Sequence, residues 1–417
     1  MTVGVKAKRP ERTDTIGLWN AFRFPLERRP LDRHAPPLLK VWSSVHDPGY
    51  LWPPRIGNRM KHLLYLSIAI PTLAGCSTEL DINAPYKDIT IVYGLLNMRD
   101  SVHYVKINKA FLGEGDAYVY AQIPDSNEWG DGVITSAKVY RVLNGDRIDT
   151  FPLYDTLITD RLPGTFYSPD EQLFYFKDWY TENMPQNGIP VTMHLDEDSE
   201  YDLELVVKGQ TLSASTTIVN DFSFQPADQV VSNPVNLITV NGLGEFELNW
   251  SSDRDGKRYV ADYRFNYREV QGTDTTDRFI TQRLGNDISA NSSSSESMSV
   301  VLDGAAFYST IATLIPDDPT VDKRIFTGMD FIVSVANDEF HTFLTLSEPI
   351  SGIIEDRPSY SNVTNGYGIF AGRYVKTIYD KALGALSLQE LVDGNQTANL
   401  RFCSSHPNDF FSPYYCP

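Results

Sequence analysis

The chain has 417 residues, of which 41% are hydrophobic and 22% are charged, and its formal net charge is −18. This hydrophobic fraction is sufficient for packed cores, which excludes a wholly disordered chain. An acidic surface repels phosphate backbones, so we expect no nucleic-acid partner. Three cysteines are too few for a disulfide-rich scaffold or a zinc ribbon.

Residues 1–59 differ from the remainder of the chain in charge and composition. They contain 11 Lys and Arg against 5 Asp and Glu, together with eight prolines, and no helical or strand period runs through them. Basic, proline-rich sequence of this kind does not bury enough apolar surface to fold alone. We therefore expect a mis-assigned or disordered N-terminal extension, with an unusually long leading region of a signal peptide as the alternative.

Residues 60–75 have the pattern of a secretory signal peptide. A basic start at Lys61 is followed by an apolar run that begins at Leu63 and is interrupted at Pro71. A run of about ten residues suits a signal peptide but is too short to span a bilayer, which needs about 20 residues. A buried core helix is the alternative interpretation, and the basic start and the proline both argue against it.

The four residues 73–76, Leu-Ala-Gly-Cys, resemble a bacterial lipobox. In proteins of that pattern the cysteine becomes the mature N-terminus and carries the lipid. We therefore expect lipidation of Cys76 and attachment to a membrane through that anchor, with residues 76–86 as a tether. From Cys76 onward the chain has 24 Lys and Arg against 49 Asp and Glu. So acidic a body is not expected to lie flat on an anionic membrane.

Between residues 87 and 221 the sequence predicts a series of short β-strands. Residues 88–96 are rich in β-branched and aromatic side chains, and Asn144-Gly145 is a pair typical of tight hairpin turns. Tyr201, at the start of an alternating strand, resembles the tyrosine corner of immunoglobulin-like sandwiches. Short strands at this spacing predict an N-terminal β-sandwich domain over residues 87–221.

Residues 222–402 predict a second β-rich domain. The alternating runs 245–250 and 259–270 are expected to lie side by side in one sheet of fibronectin III type. The residues 253–256 between them, Asp-Arg-Asp-Gly, resemble half of a calcium loop but lack its bidentate glutamate, so a hairpin turn is the better interpretation.

One or two short helices are also predicted in this second domain. Helical spacing of apolar residues favours a helix in 303–314, with Asp303 as its N-cap, and another in 338–346. The predicted fold is therefore mainly β, with two β-sandwich-like domains of immunoglobulin or fibronectin III type. A C-terminal tail, residues 403–417, follows the second domain.

Two adjoining runs near the C-terminus are distinctive, YSNV at 360–363 and NGYGIF at 365–370. Their asparagine and glycines indicate a tight turn that leads into a strand. Together with the lipobox and the early strand VYGLL at 92–96, these runs resemble a family of Bacteroidota outer-membrane lipoproteins of unknown function. The resemblance covers essentially all of residues 76–402.

The tail departs from the pattern of that family because it carries two cysteines. Cys403 and Cys416 enclose a loop rich in proline, serine and aromatic residues. In an oxidising envelope they can form a disulfide that closes a loop of about 12 residues. Lipidation would make Cys76 unavailable for pairing. Two free thiols are the alternative.

Sequence signatures of catalysis and metal binding were not found in the predicted mature chain. It keeps four histidines, His103, His194, His341 and His406. It contains no zinc-protease, nucleophile-elbow, Walker or EF-hand motif. The acidic residues beside His194 fit a solvated loop better than a hydrolase or cation site. We therefore expect a protein that is not an enzyme, with no catalytic residue, no metal site and no cofactor.

Four aromatic residues lie in polar, loop-like surroundings: Trp129, Tyr167, Trp179 and Tyr180. Exposed aromatic rings can stack on sugars or pack against a partner protein. They are therefore candidate contacts for a small-molecule or glycan ligand or for a partner. Packing in the core or at the edge of an aromatic-rich β-sandwich is the alternative for each of them.

The family resemblance implies an outer-membrane lipoprotein, often encoded beside a TonB-dependent transporter and placed like the substrate-binding lipoproteins of such systems. No catalytic residue is known for the family, so none is implied here. We therefore expect a lipid-anchored outer-membrane protein, facing the cell surface, that binds and assists a TonB-dependent transporter in nutrient uptake. A structural or adhesive surface lipoprotein without a transport role is the alternative.

Overall fold

β-strand is the dominant secondary structure, which confirms the predicted mainly-β fold class. The computed structural model describes residues 89–110, 116–168, 170–177, 181–182, 191–192, 195–226, 233–290, 294–348 and 359–416. The predicted N-terminal extension, signal peptide, lipidated Cys76 and tether lie outside these residues, as do Trp179, Tyr180 and His194. No helix within the described ranges has the length and hydrophobicity that crossing a membrane requires.

The described residues form twenty strands. In chain order they are β1 Thr90–Leu96, β2 Val102–Lys109, β3 Ile134–Leu143, β4 Asp146–Pro152, β5 Tyr154–Ile158, β6 Glu171–Lys177, β7 Thr181–Glu182, β8 Val191–Thr192, β9 Glu200–Val207, β10 Gln210–Thr217, β11 Phe224–Gln225, β12 Ile238–Thr239, β13 Gly242–Leu243, β14 Glu245–Ser251, β15 Arg258–Gln271, β16 Asp274–Ile288, β17 Ser297–Asp303, β18 Lys323–Ala336, β19 Tyr367–Lys381 and β20 Phe402–Ser404.

Helices are short and few in the described part of the chain. They are α1 Ala117–Ala121, α2 Pro124–Asn127, α3 Gly304–Leu314, α4 Asp338–Ser347 and α5 Ala385–Asp393, with 3-10 turns at Ala398–Leu400 and Pro407–Asp409. The carboxylate of Asp303 accepts a hydrogen bond of 2.7 Å from the Ala306 N–H, so the predicted N-cap of α3 is confirmed. The helix predicted at 338–346 is α4, capped by Asn337.

A nine-stranded main sheet runs through the molecule in the order β16-β15-β18-β19-β1-β2-β6-β5, and β20 pairs with the start of β18. A second sheet has the order β10-β9-β3-β4 and a third the order β11-β14-β17. β1 pairs in parallel with β19, with Tyr93 opposite Ile369. The main sheet therefore contains strands from both predicted domains.

Two hydrophobic cores lie along this main sheet. In the first core, side chains such as Val105 from the main sheet pack against Leu203 and its neighbours from the second sheet. In the second core, residues such as Phe331 pack with Trp250 of the third sheet and with helices α3 and α5. The first core contains residues up to Ile218 together with Val363 and Phe370, the second core contains residues from Val219 onward, and residues 86–417 form one compact unit.

Local turn chemistry explains much of the first core. Asn144 and Gly145 both adopt positive φ in the hairpin between β3 and β4, as this pair predicts. Tyr201 is fully buried, and its hydroxyl accepts a hydrogen bond of 2.6 Å from the Asp196 N–H. This is the geometry of a tyrosine corner, as expected from the sequence. Tyr259 repeats it in the second core by accepting from the Asp253 N–H at 2.7 Å.

The prediction that strands 245–250 and 259–270 are neighbours in one sheet is wrong. β14 belongs to the third sheet and β15 to the main sheet, so the two strands face each other across the second core. The loop between them is therefore a crossing between sheets and not a hairpin. Its Asp253 carboxylate accepts from the N–H groups of Asn220 and Asp255, at 3.1 and 3.0 Å. That carboxylate thus links the crossing loop to the segment that joins the two cores.

The distinctive run at 360–370 connects three strands of the first core. Asn362 exchanges two hydrogen bonds with the backbone of Phe370, and the Asn365 amide donates to the Thr211 carbonyl. Gly368 has a φ of +117°, and a Cβ at this position would lie 1.8 Å from the Val92 carbonyl oxygen. The motif therefore holds β19 against β1 and beside β10, and only glycine fits at residue 368.

The segment predicted as a C-terminal tail is part of the folded structure. Cys403 and Cys416 form a disulfide with a Cα–Cα distance of 5.1 Å. β20, which includes Cys403, pairs in parallel with β18. A ring nitrogen of His406 lies 2.8 Å from the Asp380 carbonyl oxygen, which ties the loop to β19. β20 therefore extends the main sheet, and the disulfide ties the residues that follow to this strand.

Candidate functional site

Trp129 is buried, although the sequence placed it among candidate exposed aromatics. Its side chain is 5% exposed and packs in the first core, and its indole N–H donates to the Asn108 carbonyl at 3.2 Å. The ammonium groups of Lys208 and Lys109 lie 5.3 and 5.8 Å from the ring centroid. Core packing, the alternative interpretation, therefore describes this residue. At 5% exposure the ring leaves too little surface for a sugar to stack on it.

Tyr167 is half-buried, and its backbone N–H donates to the Ala121 carbonyl at 3.0 Å. This hydrogen bond places Tyr167 next to helix α1. The other two predicted aromatic contacts, Trp179 and Tyr180, lie outside the described residues. Of the four predicted aromatics, the structure thus describes Trp129, which is buried, and Tyr167, which is half-buried.

An open groove lies beside Trp129, where two adjoining cavities of about 290 Å³ each share part of their walls. Four carboxylates line it, from Asp125, Glu128, Asp131 and Asp155. Glu128 accepts a hydrogen bond of 3.3 Å from the Gln172 N–H. Within the described ranges no group of three or more His, Cys, Asp or Glu side chains is arranged to hold a metal ion. The groove is thus a polar, acidic surface depression.

The described histidines do not line this groove. His103 is buried in the first core and stacks on Phe176 with a centroid distance of 4.8 Å. His341 lies on α4, and burial lowers the pKa of its imidazole, an effect to which the positive charge of Arg258 adds. His406 belongs to the disulfide-closed loop. Each of these three described histidines thus belongs to a packed part of the fold.

An apolar surface is the most distinctive exposed feature near the groove. It is formed by exposed side chains of α1 and the adjoining residues and of the loop that follows β5: Tyr118, Val119, Ile123, Leu162 and Phe166. Tyr118 is 72% exposed and Leu162 is 71% exposed. Exposed aromatic and aliphatic side chains concentrated on adjoining segments are typical of a protein-binding surface.

Hydrogen bonds hold the two segments of the apolar surface together. The Gln122 amide donates to the carbonyls of Gly164 and Thr165, at 3.1 and 2.5 Å. The buried Asn127 amide donates to three carbonyls at the end of α1, including that of Ile123 at 2.8 Å. Asp116 caps α1 by accepting from the Tyr118 N–H. The surface is therefore ordered before a partner arrives, which reduces the entropic cost of binding.

The sequence did not predict this surface. Helix α1 has five residues, too few to show a helical period. The signals that were present are the capping Asp116 and Pro124 at the first position of α2. Neither signal shows that the loop at 162–166 returns to lie beside the helix, because that contact depends on the pairing of β5 with β6.

No protein-family model matches the chain, and no curated protein matches it. Among solved structures it is similar to the C-terminal globular domain of an oligosaccharyltransferase from Pyrococcus abyssi, with 12% sequence identity and a TM-score of 0.23. The match covers 63% of this chain and 53% of that chain, so it spans about half the length of the compared structure. A likeness at this level assigns no activity to the chain.

Proposed function

We propose that the chain is a lipid-anchored outer-membrane protein that binds a TonB-dependent transporter and assists it in nutrient uptake. The lipobox that ends at Cys76 supports the anchor, and the run at 360–370 supports the family resemblance. The single observation that carries the binding role is the apolar surface of α1 and the loop at 162–166.

Two physical properties make this surface suited to a protein partner. Its side chains are largely exposed. Burying them against a partner contributes a favourable hydrophobic free energy of about 25 cal/mol per Å² of apolar area. Exposed carboxylates, including Asp116, Asp125 and Asp160, lie in the same segments. They favour a partner with basic residues around its own apolar patch, because charge complementarity at the rim speeds association.

The test is affinity purification of the full chain from gently solubilised outer membranes, followed by mass spectrometry. We expect one stoichiometric TonB-dependent barrel to be recovered with the wild type and lost with the double variant Tyr118→Ser and Leu162→Ser. The matched control is Val240→Ser with Leu243→Ser, since those side chains are 94% and 52% exposed and lie in the β12–β13 hairpin. The control should retain the barrel.

Two outcomes would reject this function. The first is a wild-type chain that never recovers a transporter barrel under these conditions. The second is a deletion strain that grows normally on every nutrient but attaches abnormally to surfaces, which would favour the structural or adhesive alternative. Loss of the barrel in both double variants would show that the apolar surface is not the specific contact.

A further inference from the structure

Strand β16 forms one edge of the main sheet. It is 15 residues long and pairs with β15 on one side, and no strand within the described ranges pairs with its other side. Residues 274–279 are all exposed. Natural edge strands are usually protected by short length, proline, charged side chains, especially lysine, or a β-bulge. β16 is long and has neither proline nor lysine, and residues 274–283 precede the bulge opposite Ala261 and Asp262. These residues, here called the β16 edge, therefore offer backbone groups for pairing, and their charged side chains, among them Asp277 and Arg283, are the groups that a partner strand must match.

The two faces of the β16 edge differ in chemistry. Ile280 packs against the second core, so even-numbered residues point inward. Asp277, Phe279 and Arg283 therefore lie on the outer face, where Phe279 is 64% exposed. Any strand that extends the sheet here must place its own side chains beside this outer row.

Each outer charge already has a partner on β15 but keeps surface for a second one. Asp277 accepts from Arg268 at 2.8 Å, and its side chain is 78% exposed. Arg283 donates to Asp262 at 2.6 Å, and its side chain is 49% exposed. A carboxylate accepts several hydrogen bonds and a guanidinium donates five. Both groups can therefore form a further ion pair across the edge.

A second copy of the chain complements this row in one register. Two β16 edges can pair antiparallel about a two-fold axis perpendicular to the sheet. The outer faces of both copies then lie on the same side of the joined sheet, and one residue lies directly opposite its equivalent in the other copy, across the axis. With the axis at Ile280, Asp277 of each copy lies opposite Arg283 of the other, and Phe279 lies opposite Thr281. An axis at 277 or 278 would instead place two aspartates or two arginines together, which is unfavourable.

We propose that two copies of this chain associate through their β16 edges, in the register centred on Ile280, to form one continuous sheet. The two-fold symmetry makes the Asp277–Arg283 ion pair twice and covers the exposed ring of Phe279 in both copies. Backbone hydrogen bonds between the edges supply the attraction, and the charge row sets the register. This association depends neither on the lipid anchor nor on the apolar surface.

The test uses charge reversal in the full chain, with sedimentation velocity over a concentration series. We expect the wild type to dimerise and each of Asp277→Arg and Arg283→Asp to weaken the dimer on the order of tenfold or more, because like charges then face each other twice. An equimolar mixture of the two variants should recover the dimer, since every facing pair is again of opposite sign. Mixing the variants does not restore the ion pairs that the substitutions break between β15 and β16 of the same chain. Recovery of the dimer would therefore show that residues 277 and 283 meet across the two chains.

A second measurement covers the case in which a reversed charge disturbs the hairpin. A mixture of Phe279→Cys and Thr281→Cys chains should give a disulfide-linked dimer on mild oxidation, because these residues face each other. Phe279→Cys mixed with Thr275→Cys should not. A wild type that is monomeric at all concentrations, a variant mixture that stays monomeric, or equal crosslinking in both cysteine mixtures would each overturn the proposal.

Discussion

Arg324 is fully buried, and its guanidinium is satisfied by three partners. It donates to the Glu269 carboxylate at 3.1 Å, to the Leu400 carbonyl at 3.0 Å and to the Pro316 carbonyl at 2.9 Å. Its side chain is not exposed at all, whereas that of Glu269 is 18% exposed. The Arg324 side chain thus links strand β18 to strand β15, to the 3-10 turn that ends at Leu400 and to the loop at Pro316.

Replacing Arg324 with methionine should lower the free energy of unfolding by about 3 kcal/mol, since two carbonyls lose their donor and the Glu269 carboxylate loses one of its two arginine partners, Arg278 being the other. Urea denaturation at neutral pH measures the change. Arg147→Met is the matched control, because Arg147 pairs with Glu204 at the surface with 44% of its side chain exposed. That change should cost less than about 1 kcal/mol. Equal losses in the two variants would contradict the role given to Arg324.

Glu339 should make the fold less stable as the pH rises. Burial raises the pKa of its carboxyl group, and the negative charges of Asp338, Asp255 and Glu200 add to this. A raised pKa in the folded state means that the folded chain holds the proton more tightly than the unfolded chain. Stability is therefore greatest below the unfolded pKa and is lost as the pH rises through the folded value.

Glu339→Gln should accordingly be more stable than the wild type at neutral pH, and this difference should vanish at a pH well below the ordinary glutamate pKa, where both states are protonated. Urea midpoints measured across that range test the prediction. Asp318→Asn, at an exposed carboxylate whose pKa is lowered by hydrogen bonds from Thr320, should instead lose stability at neutral pH. A Glu339→Gln difference that does not depend on pH would refute the assignment.

At the scale of elements, the parallel pairing of β1 with β19 depends on Gly368. Replacing it with alanine places a methyl group against the Val92 carbonyl and forces a non-glycine residue to a φ of +117°. We expect a loss of about 3–5 kcal/mol, from strain and overpacking together. Thermal unfolding followed by circular dichroism measures it.

The matched control for Gly368→Ala is Gly145→Ala. Gly145 also has positive φ, at +87°, but a Cβ there meets nothing within 4 Å. Only the backbone strain remains, so the loss should be about 1–2 kcal/mol. If both variants lose the same stability, the contact with Val92 is not what requires glycine in the C-terminal motif.

Local patterns predicted the elements that depend on local chemistry. The alternation that begins at Tyr201 predicted which face of β9 is buried, and Asn144-Gly145 predicted the hairpin between β3 and β4. Asp303 predicted the start of α3. Each of these signals acts within a few residues of the chain, where side-chain period and turn geometry decide the outcome.

Sheet membership was not predictable in the same way. The strand at 245–250 has the same alternation whether it lies beside β15 or across the core from it, because periodicity reports a buried face and not a neighbour. The pairing of β1 with β19 joins residues separated by more than half of the chain. The family resemblance rests on both runs, 92–96 and 360–370, but gave no indication that they contact each other.

At the scale of the whole molecule, the candidate site also depends on long-range contacts. Trp129 lies in a polar stretch of sequence, yet the meeting of two sheets buries it. The exposed side chains of α1 and of the loop at 162–166 adjoin only because hydrogen bonds from Gln122 and Tyr167 hold them together. Composition alone identified neither outcome, since apolar residues occur both in cores and on surfaces.

The central position of β1 has a mechanical consequence. A pulling force applied on the N-terminal side of Thr90 reaches β1 first, and this strand lies between β2 and β19. To leave the sheet it must break its hydrogen bonds to both neighbours at once, loaded in shear along the strand. Edge strands such as β5 can instead be peeled away one bond at a time. A load that enters from the N-terminal end therefore meets an interior strand of the sheet, which resists separation more than an edge strand does.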